Sequence, residues 1–245
     1  MQPKTANRLK QRRADRTRAN ILRAAIREFS AHGLAGARTD VIAESAGVNK
    51  ALLYYYFKNK RGLYEAAIEE AAGSVVELVQ ATLDSKYSAG ERLLRATLNH
   101  FDRILAQREF QSLLQQEMVR ARMGQSTALS LIAAKFSRPL LQHLRVVIEE
   151  GIRSGELCEA EWLQVVYSML GANVFYFLSA PMMGIALPQL AFDRPGIAAR
   201  REATLRFLGN ALFVDRAHGQ RLARRVLAGV PMPQVRNVQV RGKLK

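Results

Sequence analysis

The chain of 245 residues reads as all-α: an N-terminal three-helix helix-turn-helix unit, then a larger helical body. Three observations predict this. Apolar residues recur at helical spacing, as in Ile21, Leu22, Ala25, Ile26 and Phe29, and again in Leu94, Leu98, Phe101 and Leu105. Capping Thr and Asn open such stretches, and Gly closes them. No stretch reads as a strand of consequence, and no internal repeat is visible.

Residues 1–16 are polar and basic without apolar period, and read as a flexible arm. Thr17 to His32 is the first amphipathic helix, ended by Gly33. Thr39 is a good N-cap for a short second helix whose apolar face begins at Ile42 and Ala43. Gly47 stands where the chain must reverse and accepts a positive φ. Asn49 caps the third helix, with Leu53 and Phe57 on one side and Lys50, Tyr54 and Tyr55 on the other. Asn59 caps a long fourth helix, which carries Lys60 in its first turn. Its expected buried stripe is Leu63, Ala67, Ala71, Val75, Leu78 and Leu83. These elements set a unit over residues 17–68 and a body over residues 69–215.

In the body, Asp84 to Gly90 is a polar break. Helices follow over Glu91 to Ala106 and Glu109 to Arg122, the second with Leu113, Leu114 and Met118 inside. Ser126 to Arg153 is the longest periodic run, and Pro139 within it predicts a kink or a new start. Ala160 to Ala180 is apolar on all sides, and no charge appears between Trp162 and Phe192. A membrane span and a helix packed between the core and a second subunit both explain this. Gln164, Ser168 and Asn173 interrupt it, and Pro181, Gly184 and Pro188 follow, which favours the second. Residues 181–196 read as a loop, and Ile197 to Val214 as the last clear helix. Residues 216–245 form a basic tail in which residues 216–228 have the pattern of a short amphipathic helix. After Pro231 the composition is that of a disordered segment.

The formal net charge is +16, and its placement is informative. Residues 1–20 hold seven Lys/Arg against the single acid Asp15, and residues 216–245 hold eight with no acid. Basic ends on a near-neutral middle favour a polyanionic partner. The single cysteine, Cys158, excludes an internal disulfide framework. Met1 is followed by polar residues with no signal-peptide core, so a cytoplasmic location is expected. No paired carboxylates, nucleophile–base set or phosphate loop suggests an enzyme. His100 and His143 lack spaced partners for a metal, so no metal or cofactor is expected.

Thr39, Ala43, Ala46-Gly47-Val48, Leu53-Tyr54, Tyr56-Phe57 and Lys60 stand at a fixed spacing. Ile21-Leu22, Ala24-Ala25, Phe29 and Gly33-Leu34 precede them, and Lys58 to Tyr64 follows. Together they resemble the DNA-binding domain of the TetR family of bacterial transcriptional repressors, over residues 17–68. The rest of the chain matches only in length and helical character. The resemblance implies a homodimer whose last two helices make a four-helix interface. It also implies a ligand-binding body, linked to the DNA-binding unit by the long fourth helix, whose occupant weakens DNA binding.

Lys50, at the start of the third helix, suits a guanine edge or a phosphate. Ala51 and Leu52 are candidates for a thymine methyl, although Leu52 equally suits the core. Asn49 stands at the same helix start. Thr39 and Lys60 open the neighbouring helices and suit phosphates, with Lys58 an exposed helper and Arg38 able to reach backbone or base. The resemblance implies that Tyr54 contacts the DNA backbone, Tyr55 faces the groove, and Tyr56 is partly packed near a phosphate. The plainer alternative is that Tyr54 and Tyr56 only seal the core. Candidate ligand residues are Phe101, Met118, Asn173 and Tyr176, aromatic, soft or lone polar groups on buried-looking helices. The expected function is a homodimeric repressor, released from a palindromic operator by a small molecule. Its expected partners are double-stranded DNA, an unidentified effector and a second copy of the chain, with no membrane. The alternative is a general DNA-coating protein driven by its basic ends.

Overall fold

The computed structural model describes residues 3–126, 128–187 and 193–233. The first six helices are α1 (Pro3–Gly36), α2 (Thr39–Ser45), α3 (Lys50–Phe57), α4 (Lys60–Leu83), α5 (Ala89–Ala106) and α6 (Arg108–Arg122). Then come α7 (Leu129–Ile132), α8 (Arg138–Arg153), α9 (Trp162–Val166), α10 (Ala172–Ala186), α11 (Arg194–Ala211) and α12 (Arg216–Gly229). Two π-helical turns, Ala133–Ser137 and Tyr167–Gly171, join α7 to α8 and α9 to α10. Among the described residues the only β pairing is a single bridge, Leu157 with Phe213, so the all-α expectation holds.

The helices divide into two compact units, Met1–Ser74 with Gln107–Phe136, and Val75–Ala106 with Ser137–Lys245. The packing units differ from the division after residue 68 in that α6 and α7 pack with the first unit. The reason is long-range pairing that periodicity cannot report. Ser112 Oγ and Gln116 Nε2 of α6 both donate to the Ser30 carbonyl of α1, at 2.8 and 3.0 Å. Leu113, Ala128 and Ile132 are buried in the same core as Ile21, Phe29, Leu53 and Phe57. The Phe29 and Tyr64 rings meet edge to face at 5.0 Å in its centre. Glu117 is fully buried there. It accepts from the Tyr64 hydroxyl at 2.9 Å, Ser126 Oγ at 2.8 Å and the Ala128 N–H at 3.1 Å, with Arg120 Nε 3.1 Å away. The second unit has its own core, in which Leu94 of α5, Val147 of α8, Met169, Leu208 of α11 and Val226 of α12 converge. A buried ion pair crosses it. Arg201 of α11 donates to both Asp102 oxygens at 2.9 and 2.8 Å, and its Nη2 also donates to the Val230 carbonyl at 2.9 Å. Burial pushes the Asp102 carboxyl above its usual range, against the pull of the guanidinium.

Several expectations are corrected. The segment read as a flexible arm is helical from Pro3 onward, in one helix with the segment read as starting at Thr17. It lacks an apolar stripe but is rich in Lys, Arg, Gln and Ala, which favour helix, and Gln11 bonds Asp15 one turn on. Gly33 does break this helix, at φ 67°. The cap of α2 is Arg38, without a side-chain capping bond, and Thr39 is its first helical residue. In α4, Leu78 is exposed and Val79 is buried in its place. Pro139 sits in the first turn of α8, the new start expected of it. Pro181 does not end its helix. Proline forgoes its own N–H bond but keeps a helical φ, and α10 runs on to Ala186. The short amphipathic helix expected over residues 216–228 is present as α12, which runs through Gly229 with Leu222, Ala223 and Val226 buried. The segment expected to be disordered after Pro231 lies, from residue 234, outside the described residues.

Candidate nucleic-acid interface

The first unit holds α3 in place from three sides. Gly47, at φ 68°, makes the reversal after α2. Asn49 caps α3, its Oδ1 accepting the Leu52 N–H at 2.8 Å. Leu53 and Phe57 are buried. What remains outward is Lys50, Ala51, Leu52 and Tyr55. Leu52 is 36% exposed and belongs to this outer face rather than the core. Tyr55 is 80% exposed.

The three consecutive tyrosines have separate duties, as the turn of a helix requires. The Tyr54 hydroxyl pairs with Thr39 Oγ1 at 3.1 Å, tying α3 to α2. The Tyr56 hydroxyl donates to the Ala14 carbonyl at 3.4 Å, tying α3 to α1. Its ring also supports Tyr55 edge to face at 5.6 Å. Tyr55 alone points out. Thr39 is buried and Tyr54 half-buried, so both brace the unit.

The cations are also sorted. Lys60 Nζ donates to the Ala35 carbonyl at 2.9 Å, at the end of α1. Arg38 is held by Asp40, Nη2 to Oδ2 at 2.6 Å, and its backbone N–H donates to Glu28 at 3.0 Å. The guanidinium holds the Asp40 carboxyl down to about 2, well below its usual 3.8. Sequence reasoning missed Asp40, although a carboxylate in the first turn of α2 was a visible signal. Lys50 and Lys58 are exposed, and Lys58 takes a left-handed φ of 61° as it ends α3. On α1, Arg8, Lys10, Arg12, Arg13, Arg16 and Arg18 are all exposed, on the helix that Tyr56 tethers. The arrangement offers donors and a projecting phenol, and no general acid, base or nucleophile set. A cleft of about 270 Å³ opens elsewhere on this unit, beside Arg23, Arg27, Glu70 and Phe110.

Three of the four candidate ligand residues come together in the second unit. Phe101 is buried, with the Tyr176 ring at 5.7 Å and Phe177 at 4.9 Å. Asn173 Nδ2 donates to the Thr97 carbonyl at 2.9 Å and lies 3.4 Å from His100 Nδ1. Its Oδ1 is buried without a hydrogen-bond partner among the described residues. Burial pushes His100 down to about 4, so the ring is neutral at neutral pH. Met118 does not join them. It is an exposed residue of α6 in the first unit, where the apolar period had suggested an inward place.

A short helix whose rear is fully spent on bracing, and whose front is left to Lys50, Ala51 and Tyr55, defines a helix-turn-helix DNA-binding regulator. Residues 21–67 match the profile described as bacterial regulatory proteins, tetR family, and residues 90–207 match the tetracyclin repressor-like C-terminal domain. The chain belongs to the TetR family. It is similar to the HTH-type transcriptional repressor NicS of Pseudomonas putida, 29% identical over 68% of this chain and 77% of that protein. It is also similar to the fatty acid metabolism regulator protein of Bacillus subtilis, at 25% over 63% of this chain and 77% of that one. Among solved structures, the transcriptional regulator SCO4942 of Streptomyces coelicolor shares the fold, with TM-score 0.59, 23% identity and coverage of 89% and 99%. Bacillus subtilis FadR, solved with stearoyl-CoA, does so with TM-score 0.56, 17% identity and coverage of 87% and 99%.

Proposed function

We propose that the protein is a homodimeric repressor, released from a palindromic operator by a small-molecule ligand. The observation that carries the dimer is an apolar stripe in the second unit. Tyr167, Phe175, Leu178, Met182 and Ile185 recur at three-, four- and eight-residue intervals along the π-turn and α10, and all are exposed. A stripe this long asks for a partner. The helix from Trp162 to Ala186 is also long and apolar enough to cross a membrane. A second protein surface suits it better, because its other face is committed to α5 through the Asn173 carboxamide and the buried Met169. Two copies joined here present two α3 helices to successive major grooves.

Lys50 and Tyr55, with Ala51 and Leu52, choose the sequence. Asn49 presents the α3 N-terminus and Lys58 takes a phosphate, while Thr39, Tyr54, Tyr56 and Lys60 hold α3 in register. Arg38 joins once it releases Asp40. The effector is received near Phe101, Asn173 and Tyr176, where the unpaired Asn173 oxygen awaits a donor. The names of NicS, a repressor, and of FadR in complex with stearoyl-CoA support repression and a ligand that carries an acyl chain. The effector acts by binding one head arrangement better than the other. A mobility-shift assay on the gene's own upstream DNA tests the reading. It predicts a retarded band that survives competitor of scrambled sequence at moderate salt, and its absence refutes the reading.

A further inference from the structure

The profile of the C-terminal domain ends at residue 207, and α12 lies wholly beyond it. This helix is nevertheless rigidly seated. Its N-terminus is capped by Asp215, whose Oδ1 accepts the Ala217 N–H at 2.8 Å. Gly219 lies so close to α11 that a Cβ there would fall 2.1 Å from the Gly209 carbonyl oxygen. Leu222, Ala223 and Val226 anchor its inner face in the core of the second unit. One face of an amphipathic helix is thereby spent.

The other face carries Arg221, Arg224 and Arg225, all exposed, with Arg216 at the start of the helix. Three and four residues apart, these side chains stand about 4.5–6 Å apart along the axis, on one side. Few acids dull them. Arg221 lies 3.6 Å from Asp215, and Arg225 lies 3.7 Å from Glu91, which Arg95 already holds at 2.7 Å. Arg216 and Arg224 make no ion pair among the described residues. The sequence beyond adds Arg236, Arg241, Lys243 and Lys245, and no acid occurs from residue 216 to 245.

We propose that the outer face of α12 is a second contact for the phosphate backbone of double-stranded DNA, on the other compact unit from α3. A contact made by cations to phosphate oxygens does not depend on base sequence, because every duplex offers the same backbone. A bilayer is the lesser match. A helix that lies on a membrane offers an apolar face to it, whereas the apolar face of α12 is buried and its exposed residues other than the arginines are small or polar. The protein therefore holds DNA at two places, one reading sequence and one reading charge.

The test is fluorescence anisotropy of the full chain on a labelled duplex of scrambled sequence, titrated with KCl. Arg221→Gln, Arg224→Gln and Arg225→Gln are combined in one variant, and the same three positions are changed to Lys in a second. The Gln variant is expected to bind at least about tenfold more weakly at low salt, with the slope of log affinity against log salt lowered by about 2–3, near 0.9 per lost phosphate contact. The Lys variant keeps both. An unchanged thermal melt by circular dichroism shows that the Gln variant is folded; were it not, Arg224→Glu alone carries the test. Equal affinity and slope in the Gln variant and the parent overturn the proposal. So does a loss seen only with phosphatidylglycerol vesicles and not with the duplex, which makes the partner a membrane. Lys50→Ala with Tyr55→Ala, measured beside them, reports on the α3 reading separately, since it leaves the arginines in place.

Discussion

The outer faces of α3 and α10 both leave large aromatic side chains in water, and their surroundings differ in chemistry. Tyr55 is 80% exposed and Phe175 is 60% exposed. Around Tyr55 stand Lys50, Ala51 and Lys58, so the surface is wet, cationic and able to donate. Around Phe175 stand Val174, Leu178 and Met182, with no charge from residue 163 to residue 191. A phenol among lysines is stable in water and gains by meeting phosphate and base edges. A phenylalanine among aliphatics is stable only when covered. Exposure alone does not identify a partner, but the chemistry of the neighbours does.

The contrast can be broken at either end. Phe175→Glu with Leu178→Glu puts charge into the apolar stripe. Truncated hot-spot residues of this kind cost about 2–4 kcal/mol in association, so sedimentation equilibrium should show monomers where the parent is dimeric. A dimer of unchanged strength would remove α10 from the interface. Next in size, Tyr55→Ala should lose about 1–3 kcal/mol of operator affinity while leaving scrambled DNA nearly unaffected. Tyr55→Phe separates the hydroxyl from the ring, and a wild-type footprint with Phe would mean that the ring does the reading. Asn49→Ala removes the cap of α3, and a loss of about 0.5–2 kcal/mol is expected from the urea midpoint.

The smallest effect concerns Asp40. Its folded carboxyl titrates at about 2 and its ordinary value is 3.8, so the unfolded chain takes up the proton first. The stabilisation is complete above the ordinary value and is lost as pH falls from there towards the folded one. Asp40→Asn should flatten that part of an acid-unfolding curve, only slightly, because the pair is exposed and screened. The same variant frees Arg38, so it should bind scrambled DNA more tightly at neutral pH, and weaker binding would show that Asp40 orders Arg38 for contact.

Local chemistry made much of this legible in advance. Gly33 breaks the first helix as expected, Gly47 has the positive φ read from its position, Asn49 and Asn59 accept the capping bonds expected of them, and Pro139 opens a new helix. What stayed hidden depends on distant residues. The bond from Tyr54 to Thr39 and the one from Lys60 to Ala35 join helices that periodicity treats separately. The exchange of Leu78 for Val79 shows how little a hydrophobic count says about rotation when several phases of a long helix are apolar. For the candidate ligand residues, Phe101, Asn173 and Tyr176 converge because α5 and α10 pack together, while Met118 follows α6 into the first unit.

The buried Glu117 has a practical consequence for dissecting the protein. It binds Tyr64 of α4, 53 residues before it, and the Ala128 N–H at the start of α7, 11 residues after it, and so joins distant stretches of chain into one core. A gene fragment stopping at Ser74 would leave the Tyr64 hydroxyl without its acceptor and strip Leu113, Ala128 and Ile132 from around Phe29. The DNA-reading unit is therefore not a detachable cassette. Chimeras that exchange specificity between relatives must transplant two separate stretches, or graft only the outward residues of α3.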